Sequence, residues 1–309
     1  MGNQIKRGIN HGWKKTKVSL LATDNRKTGI GTCLDALGVN PVKNKNVLIK
    51  PNFNTADPAP GSTHNDTLVS LIKKTWDMGA RAITIGERSY PLTFQVMEQK
   101  GIRPLLKDLD VDVVDFDTLD KKDWVKMDPA DTHWRNGFRV ARPVLEAECL
   151  ISTGCLKTHQ FGGVFTLSLK LHVGVVPTTR HGFDYMTELH TSPHQNKLIA
   201  EINQPFQPDL ILIDGIDAFV DGGPATGKHV HGNLLLAGTD RVAMDAAGVA
   251  ALKSLGSNKT IMQTRIFDHE QIARAAELGL GVSSVEQIEL VSATKESRQT
   301  QDRVLAQLF

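Results

Sequence analysis

This sequence predicts an α/β fold with a largely parallel sheet or sheets, helices on both faces, and two lobes with a cleft between them. Three observations predict it. Short apolar, β-rich runs alternate with helical patterns through most of the chain, and most of these runs end in small or polar residues. The third is bulk: 309 residues at 40% hydrophobic content are enough to bury a full core.

In the first half the runs KVSLLA (17–22), VLIK (47–50), AITIG (82–86) and VDVVDF (111–116) read as strands. Asn65 is positioned to cap a helix with Asp66 in its first turn; Leu68, Leu71, Ile72 and Thr75 follow at helical spacing, and Gly79 ends it. Between the strand at 47–50 and this helix lies KPNFNTADPAPGSTHN, too long and too rich in Pro and Gly for a plain connector. Loops beyond the carboxyl ends of parallel strands are where ligands bind in open α/β sheets.

The second half opens with CLIS (149–152) and continues with LILID (210–214) and LLLA (234–237), each read as a strand. Helical patterns occupy 196–203, 241–255 and about 268–278, and Asp240 is placed to cap the second of them. Residues 118–135 are the least patterned and are expected to cross the surface between lobes. The expected division is an extension at 1–16, a first lobe at 17–148, a second at 149–291 and a tail at 292–309 that frays or forms a surface helix.

Charge and cysteine content narrow the function. Lys plus Arg number 36 against 34 acids, which offers no reason to expect nucleic acid or an anionic membrane as partner. No apolar run reaches the ~20 residues that span a bilayer, and MGNQIKRGINHGWKK lacks a signal-peptide core, so a cytoplasmic address is expected. Its Met-Gly start carries Ile5 and Lys6 where a myristoylation motif wants Ser or Thr. Cys33, Cys149 and Cys155 form no C-x-x-C, so neither a disulfide framework nor an iron–sulfur cluster is expected.

Seven of the eleven histidines fall between His159 and His231. Histidine is the commonest metal ligand and titrates near neutral pH, so the clustering points to a site. Lys157 and His159 lie just past the strand at 149–152. In VFTLSLKLHV (164–173) strict alternation favours a strand that aligns Thr166, Ser168, Lys170 and His172; a helix would set His172 about 200° around from Lys170. Either way Lys170 is the one formal charge in an apolar run, which depresses its pKa unless an anion answers it. His181, Asp184, His190 and His194 follow among Arg180, Tyr185 and Glu188, a ligand set that divalent metals accept but at spacings unlike HExxH. Asp214, Asp217 and Asp221 precede GGPATGKH, with Lys228, His229 and His231; this stretch lacks the spacing of a phosphate loop. Lys50, Asn52 and Arg88 end two first-half strands and would share an edge with these groups if all strands are parallel.

The ordered set KPN, IGERS, LKTHQFGGVFTLSLKLHVGVV, LILIDG, GGPATGKH and LLLAGTDRVAMDAAGVAALKSLG resembles the domain-of-unknown-function family 362 from about Lys17 to Leu290. Many members of that family carry ferredoxin-like cysteine clusters, which this chain lacks. More distantly, His159-Gln-Phe-Gly-Gly163, Lys170, His172-Val-Gly174 and Leu189-His190 are similar in order to a stretch of the nickel-pincer lactate racemase family, whose lysine bears the cofactor. Glu87 stands where that family has a histidine, so pincer nickel is not expected here. The resemblance implies two lobes holding a small hydroxy- or carboxy-substrate, and a helical Lys170.

Together these readings favour a metal-assisted enzyme of isomerase, lyase or hydrolase type acting on a small anionic, carboxylate-type metabolite; a non-catalytic carrier or sensor is the alternative, and a redox protein the weaker one. The expected catalytic groups are His159, Lys170, His190 and Asp214. Lys50, Asn52, Arg88, Lys157, Arg180 and Lys228 are expected to bind substrate, and His159, His190 and Asp217 a divalent metal. A homodimer is compatible with all of this.

Overall fold

The computed structural model describes residues 15–162, 164–180 and 182–309. The amino-terminal motif, Gly163 and His181 therefore lie outside the described residues. Among the described residues the strands are β1 (Thr16–Ala22), β2 (Asn46–Lys50), β3 (Ala82–Glu87), β4 (Asp112–Asp115), β5 (Trp124–Met127), β6 (Phe138–Ala141), β7 (Cys149–Thr158), β8 (Phe165–Thr166), β9 (Thr179–Arg180), β10 (Phe183–Asp184), β11 (Leu210–Gly222), β12 (Gly227–Gly238) and β13 (Ile288–Ser292). One sheet runs β13-β1-β12-β11-β7-β2-β3-β4, with the short β8 added antiparallel to β7. β11, β7, β2, β3 and β4 are mutually parallel, whereas β12 is antiparallel to both its neighbours.

Strands from both halves of the chain thus share one sheet, joined where Val47 to Lys50 of β2 pair with Cys149 to Ser152 of β7. The period of two explains the core. Leu210 and Leu212 of β11 pack on one face with Val47 and Ile49, while Ile211 and Ile213 pack on the other with Leu48 and Leu150. The first face is covered by the helices Arg26–Asp35 and Asn65–Asp77. The second is covered mainly by Arg241–Ser254, whose run from Arg241 to Leu252 is buried throughout.

Several local expectations shift. His64, not Asn65, caps Asn65–Asp77 by accepting from the Asp66 amide, and Asn65 instead donates to the Lys100 carbonyl. Asp240 caps Arg241–Ser254 as expected, accepting from Val242 and Ala243. The weakly patterned stretch at 118–135 contributes β5, which pairs with β6 as a hairpin, and the tail forms a helix, Arg298–Leu308. The 164–173 segment divides: Phe165–Thr166 is strand, and a short helix, Ser168–Leu171, carries Lys170.

That helix is held by Asp245, whose Oδ1 accepts from the Ser168 and Leu169 amides at 2.6 and 3.2 Å while Gln271 donates to its Oδ2. A turn this short cannot hold its own geometry in water, so the buried carboxylate answers its free amides. Burial pushes Asp245 up to about 7, against the pull of those donors.

Strand order decides where a ligand fits. From β2 the chain proceeds to β3 and β4 on one side, and from β7 to β11 on the other. The carboxyl ends of β2 and β7 therefore flank a topological switch point, where adjacent loops leave in opposite directions and open a crevice.

Candidate active site

A cavity of about 320 Å³ lies at this switch point. Lys50 and Asn52 reach it from the end of β2, Glu87 and Arg88 from β3, and Lys157 and His159 from β7. The helices Ser168–Leu171 and Tyr185–Thr191 add Lys170 and His190. The long loop after β2 contributes Asn54, Thr55, Asp57 and Gly61, which accounts for its length.

The wall is cationic. Lys50, Lys157, Arg88 and Lys170 are 1, 2, 5 and 7% exposed. The lining carboxylates are Glu87 and the half-buried Asp57, which accepts from the Thr55 hydroxyl. Glu87 is committed: its Oε1 pairs with Lys50 Nζ at 2.6 Å, and it accepts from the amides of Phe53 and Arg88 at 2.9 Å. Burial pushes Glu87 up and Lys50 down, and each pulls the other back towards its charged form. Glu87 thus serves as the counter-charge of Lys50.

The three remaining cations differ in their ties. Lys157 Nζ donates to the Gly61 and Pro224 carbonyls. Arg88 donates to Thr178 Oγ1 at 3.1 Å and the Val173 carbonyl at 3.3 Å, which leaves its buried Nε without a partner. Lys170 has no hydrogen bond or ion pair among the described residues; burial first, then Lys157, lowers it to about 8. Asn52 Nδ2 and Thr166 Oγ1, both lining the cavity, are likewise buried and unpartnered. Unmatched buried polar atoms are costly, and several in one cavity leave donors that a ligand's oxygens could bond.

The two imidazoles are set in opposite tautomers. Phe161 N–H donates to His159 Nδ1 at 3.2 Å, so the neutral ring carries its proton on Nε2. His190 Nδ1 meets the Met186 carbonyl at 2.7 Å; a carbonyl only accepts, so Nδ1 holds the proton and Nε2 presents a lone pair. Burial, then Lys170, Lys157 and His190, lowers His159 to about 2. It stays neutral across the physiological range. One ring can therefore donate a proton while the other accepts one.

A metal held by His159 and His190 does not fit this wall. Metal on His159 Nε2 would move the ring proton to Nδ1, where the Phe161 amide already donates. Lys157, Lys170 and Arg88 would repel a divalent ion, and among the described residues no third ligand atom groups with the two rings.

The other expected residues lie elsewhere. Because β11 runs on to Gly222, Asp214 and Asp217 sit within a strand instead of at its end. Asp214 accepts from Arg26 Nε at 2.7 Å and Thr67 Oγ1 at 2.5 Å, which ties two helices to the sheet. Asp217 contacts Arg26, His229 and His231. Arg180 donates to the Asp117 carbonyl, Lys228 is exposed, and neither lines the cavity. His172 is fully buried between Ser152 Oγ and Asn203 Oδ1, a core tie below the cavity wall. His194 is exposed and packs on the His133 ring. Thr166 had no charge or motif to flag it; its pairing opposite Lys157 across β7 and β8 brings it to the site.

Gly174 allows the buried ion pair. A Cβ there would collide with Glu87 Oε1 and lie 2.8 Å from Lys50 Nζ. Gly174→Ala is expected to displace the pair and cost ~2 kcal/mol, seen as a lower denaturation midpoint, while Gly31→Ala, with open surroundings, changes little.

Comparisons with known proteins give a family and stop short of an activity. A family model described as "Domain of unknown function (DUF362)" matches residues 47–250, two thirds of the chain. A thylakoid-associated protein of Synechocystis sp. is 26% identical over 239 residues, which covers 74% of this chain and 72% of that protein. The lactate racemase apoprotein of Thermoanaerobacterium thermosaccharolyticum aligns with a TM-score of 0.42 at 13% identity. That alignment covers 67% of this chain and 51% of the racemase, so the chain spans about half its length. No helix among the described residues is long and apolar enough to cross a membrane.

Proposed function

The chain belongs to the DUF362 family, and from that premise we propose that it is an enzyme moving a proton on a small carboxylate-type anion held in the cavity between the ends of β2 and β7. One observation carries the reading: three buried cations that form no ion pair among the described residues, Arg88, Lys157 and Lys170, line the same cavity as the orphaned polar atoms of Asn52, Arg88 and Thr166. An oxyanion would answer both the charge and the missing hydrogen bonds.

In this proposal Arg88, Lys157 and Asn52 hold the carboxylate, and Thr166 bonds a second oxygen. His190 Nε2 accepts a proton from the bound anion, and His159 Nε2–H supports the developing negative charge. Lys170, lowered to about 8 by burial, serves as a further acid or base. This differs from the metal-assisted chemistry expected of His159 and His190, because the donor set favours an anion over a cation.

The test is solvent exchange. Small hydroxy-, oxo- and unsaturated carboxylates are incubated with the protein in deuterium oxide, and deuterium entry at carbon is followed by NMR. Exchange into one of them, lost when His190 is replaced by alanine, is the expected result. Binding of a carboxylate with neither exchange nor turnover would assign the cavity to a carrier or sensor. Failure of every carboxylate to bind would overturn the reading.

Binding should also depend on pH. As pH rises through about 8, Lys170 loses its proton and the cavity loses positive charge. Affinity for a carboxylate is therefore expected to fall above that pH, with proton uptake on binding near it, measured by calorimetry in buffers of different ionisation enthalpy.

A further inference from the structure

Outside the cavity, one cluster of ligating side chains remains unused. Among the described residues, Asp217, His229 and His231 bring one ligand atom each within 4.8 Å of one another. We propose that these three residues form a separate binding site for a zinc-type divalent transition ion on the β11–β12 hairpin.

The fold builds the site in two steps. His229 and His231 are two residues apart on β12, so their rings leave the same face of the sheet. Asp217 pairs directly with His231 across the ladder, beside an irregularity between Gly215 and Asp217. As a result Asp217 Oδ1 lies 3.0 Å from both His229 Nε2 and His231 Nδ1.

The carboxylate is oriented from behind. Arg26 binds Asp217 Oδ2 at 2.8 Å and uses its Nε on Asp214 at 2.7 Å, while Asp214 is itself held by Thr67 and the Ile216 amide. Oδ1 is thereby turned towards the imidazoles, the kind of outer support that fixes metal ligands. Two imidazoles and one carboxylate suit zinc, nickel or cobalt and not calcium or magnesium, which prefer all-oxygen sets.

Three protein ligands leave a coordination position open. The histidine side chains are 41 and 73% exposed, and His231 also lines a second cavity of about 340 Å³ with Asp24, Asn233 and Arg303. That cavity shares no lining residue with the cationic one. The ion would bridge two adjacent strands and bind the folded chain in preference to the unfolded one.

The experiment uses the full chain without an affinity tag, stripped with chelator and titrated with zinc chloride, reading stoichiometry by equilibrium dialysis and Tm by thermal unfolding. The expected result is one ion per chain with micromolar or tighter affinity and a Tm raised by several degrees, with no shift from calcium or magnesium. His229→Ala with His231→Ala should weaken binding at least 100-fold, and Asp217→Asn at least tenfold. The ion-free double variant should keep the wild-type Tm, since both rings are exposed. His159→Gln with His190→Gln should retain the ion. Undiminished binding in the His229/His231 variant, loss of the ion in the His159/His190 variant, or no binding below millimolar zinc would each overturn the proposal.

Discussion

Replacing Lys170 with methionine is expected to abolish anion binding and turnover while making the protein more stable. Lys170 lies buried with no partner among the described residues, and burial has brought it from 10.5 to about 8. That drop corresponds to ~3 kcal/mol against the charged form. The sign follows from proton counting. Between about 8 and 10.5 the unfolded chain binds this proton and the folded chain does not, so stability rises with pH across that window. At neutral pH the folded protein therefore bears a cost that methionine, of similar length and no charge, removes. Tm should rise by roughly 2–8 °C, and the rise of stability between pH 8 and 10.5 should flatten. Affinity for the carboxylate and exchange at carbon should each fall by about 100-fold or more, since a buried charge that meets an anion carries several kcal/mol. A less stable Lys170→Met variant would mean that the lysine serves packing, and the cavity would lose its central group.

Glu87→Gln carries the opposite sign. Glutamine keeps the shape, but the Phe53 and Arg88 amides bond different oxygens of Glu87, so its single oxygen can accept from only one of them, and Lys50 loses its counter-charge in a place with 1% exposure. A buried charge left alone costs ~3–5 kcal/mol, a large share of a domain's stability. Chemical denaturation should show the midpoint falling by that amount. Lys50→Met with Glu87→Gln removes both charges and should recover most of the loss, because the desolvation that the pair suffers is then absent. A double variant as unstable as the single one would show that backbone contacts, and not charge, set the cost.

Much of the cavity was legible from local pattern. Lys50, Asn52, Arg88, Lys157 and His159 were placed by one rule, that side chains just past the carboxyl ends of parallel strands face a shared edge, and all five line the cavity. Lys170 was legible as an isolated charge but not by conformation: its alternating neighbours mimic a strand, and only the Asp245 carboxylate, 75 or more residues away, supplies the amide partners that make the segment helical. Asp214 and Asp217 lie away from the cavity for a definite reason. Their charges end the apolar run, so the strand reads as finished at 214, whereas β11 continues to Gly222 through an irregular stretch and carries both acids past the point where a loop was expected. Their partner Arg26 is 188 residues from Asp214, beyond the reach of any periodicity.

The sequence by itself determined the α/β class, the parallel runs, the capping of Arg241–Ser254 and the cationic character of the strand ends, because each follows from spacing within a few turns or strand repeats. Tertiary structure alone decided that β7 lies against β2 and so opens the cavity between the two halves of one sheet. It also divided the histidine-rich stretch, sending His159 and His190 to the cavity, His172 to the core, and His229 and His231 to a hairpin with Asp217. Side-chain period fixes which face a residue leaves from; which distant strand that face meets is a matter of sheet order, and sheet order is set by long-range burial that no local pattern records.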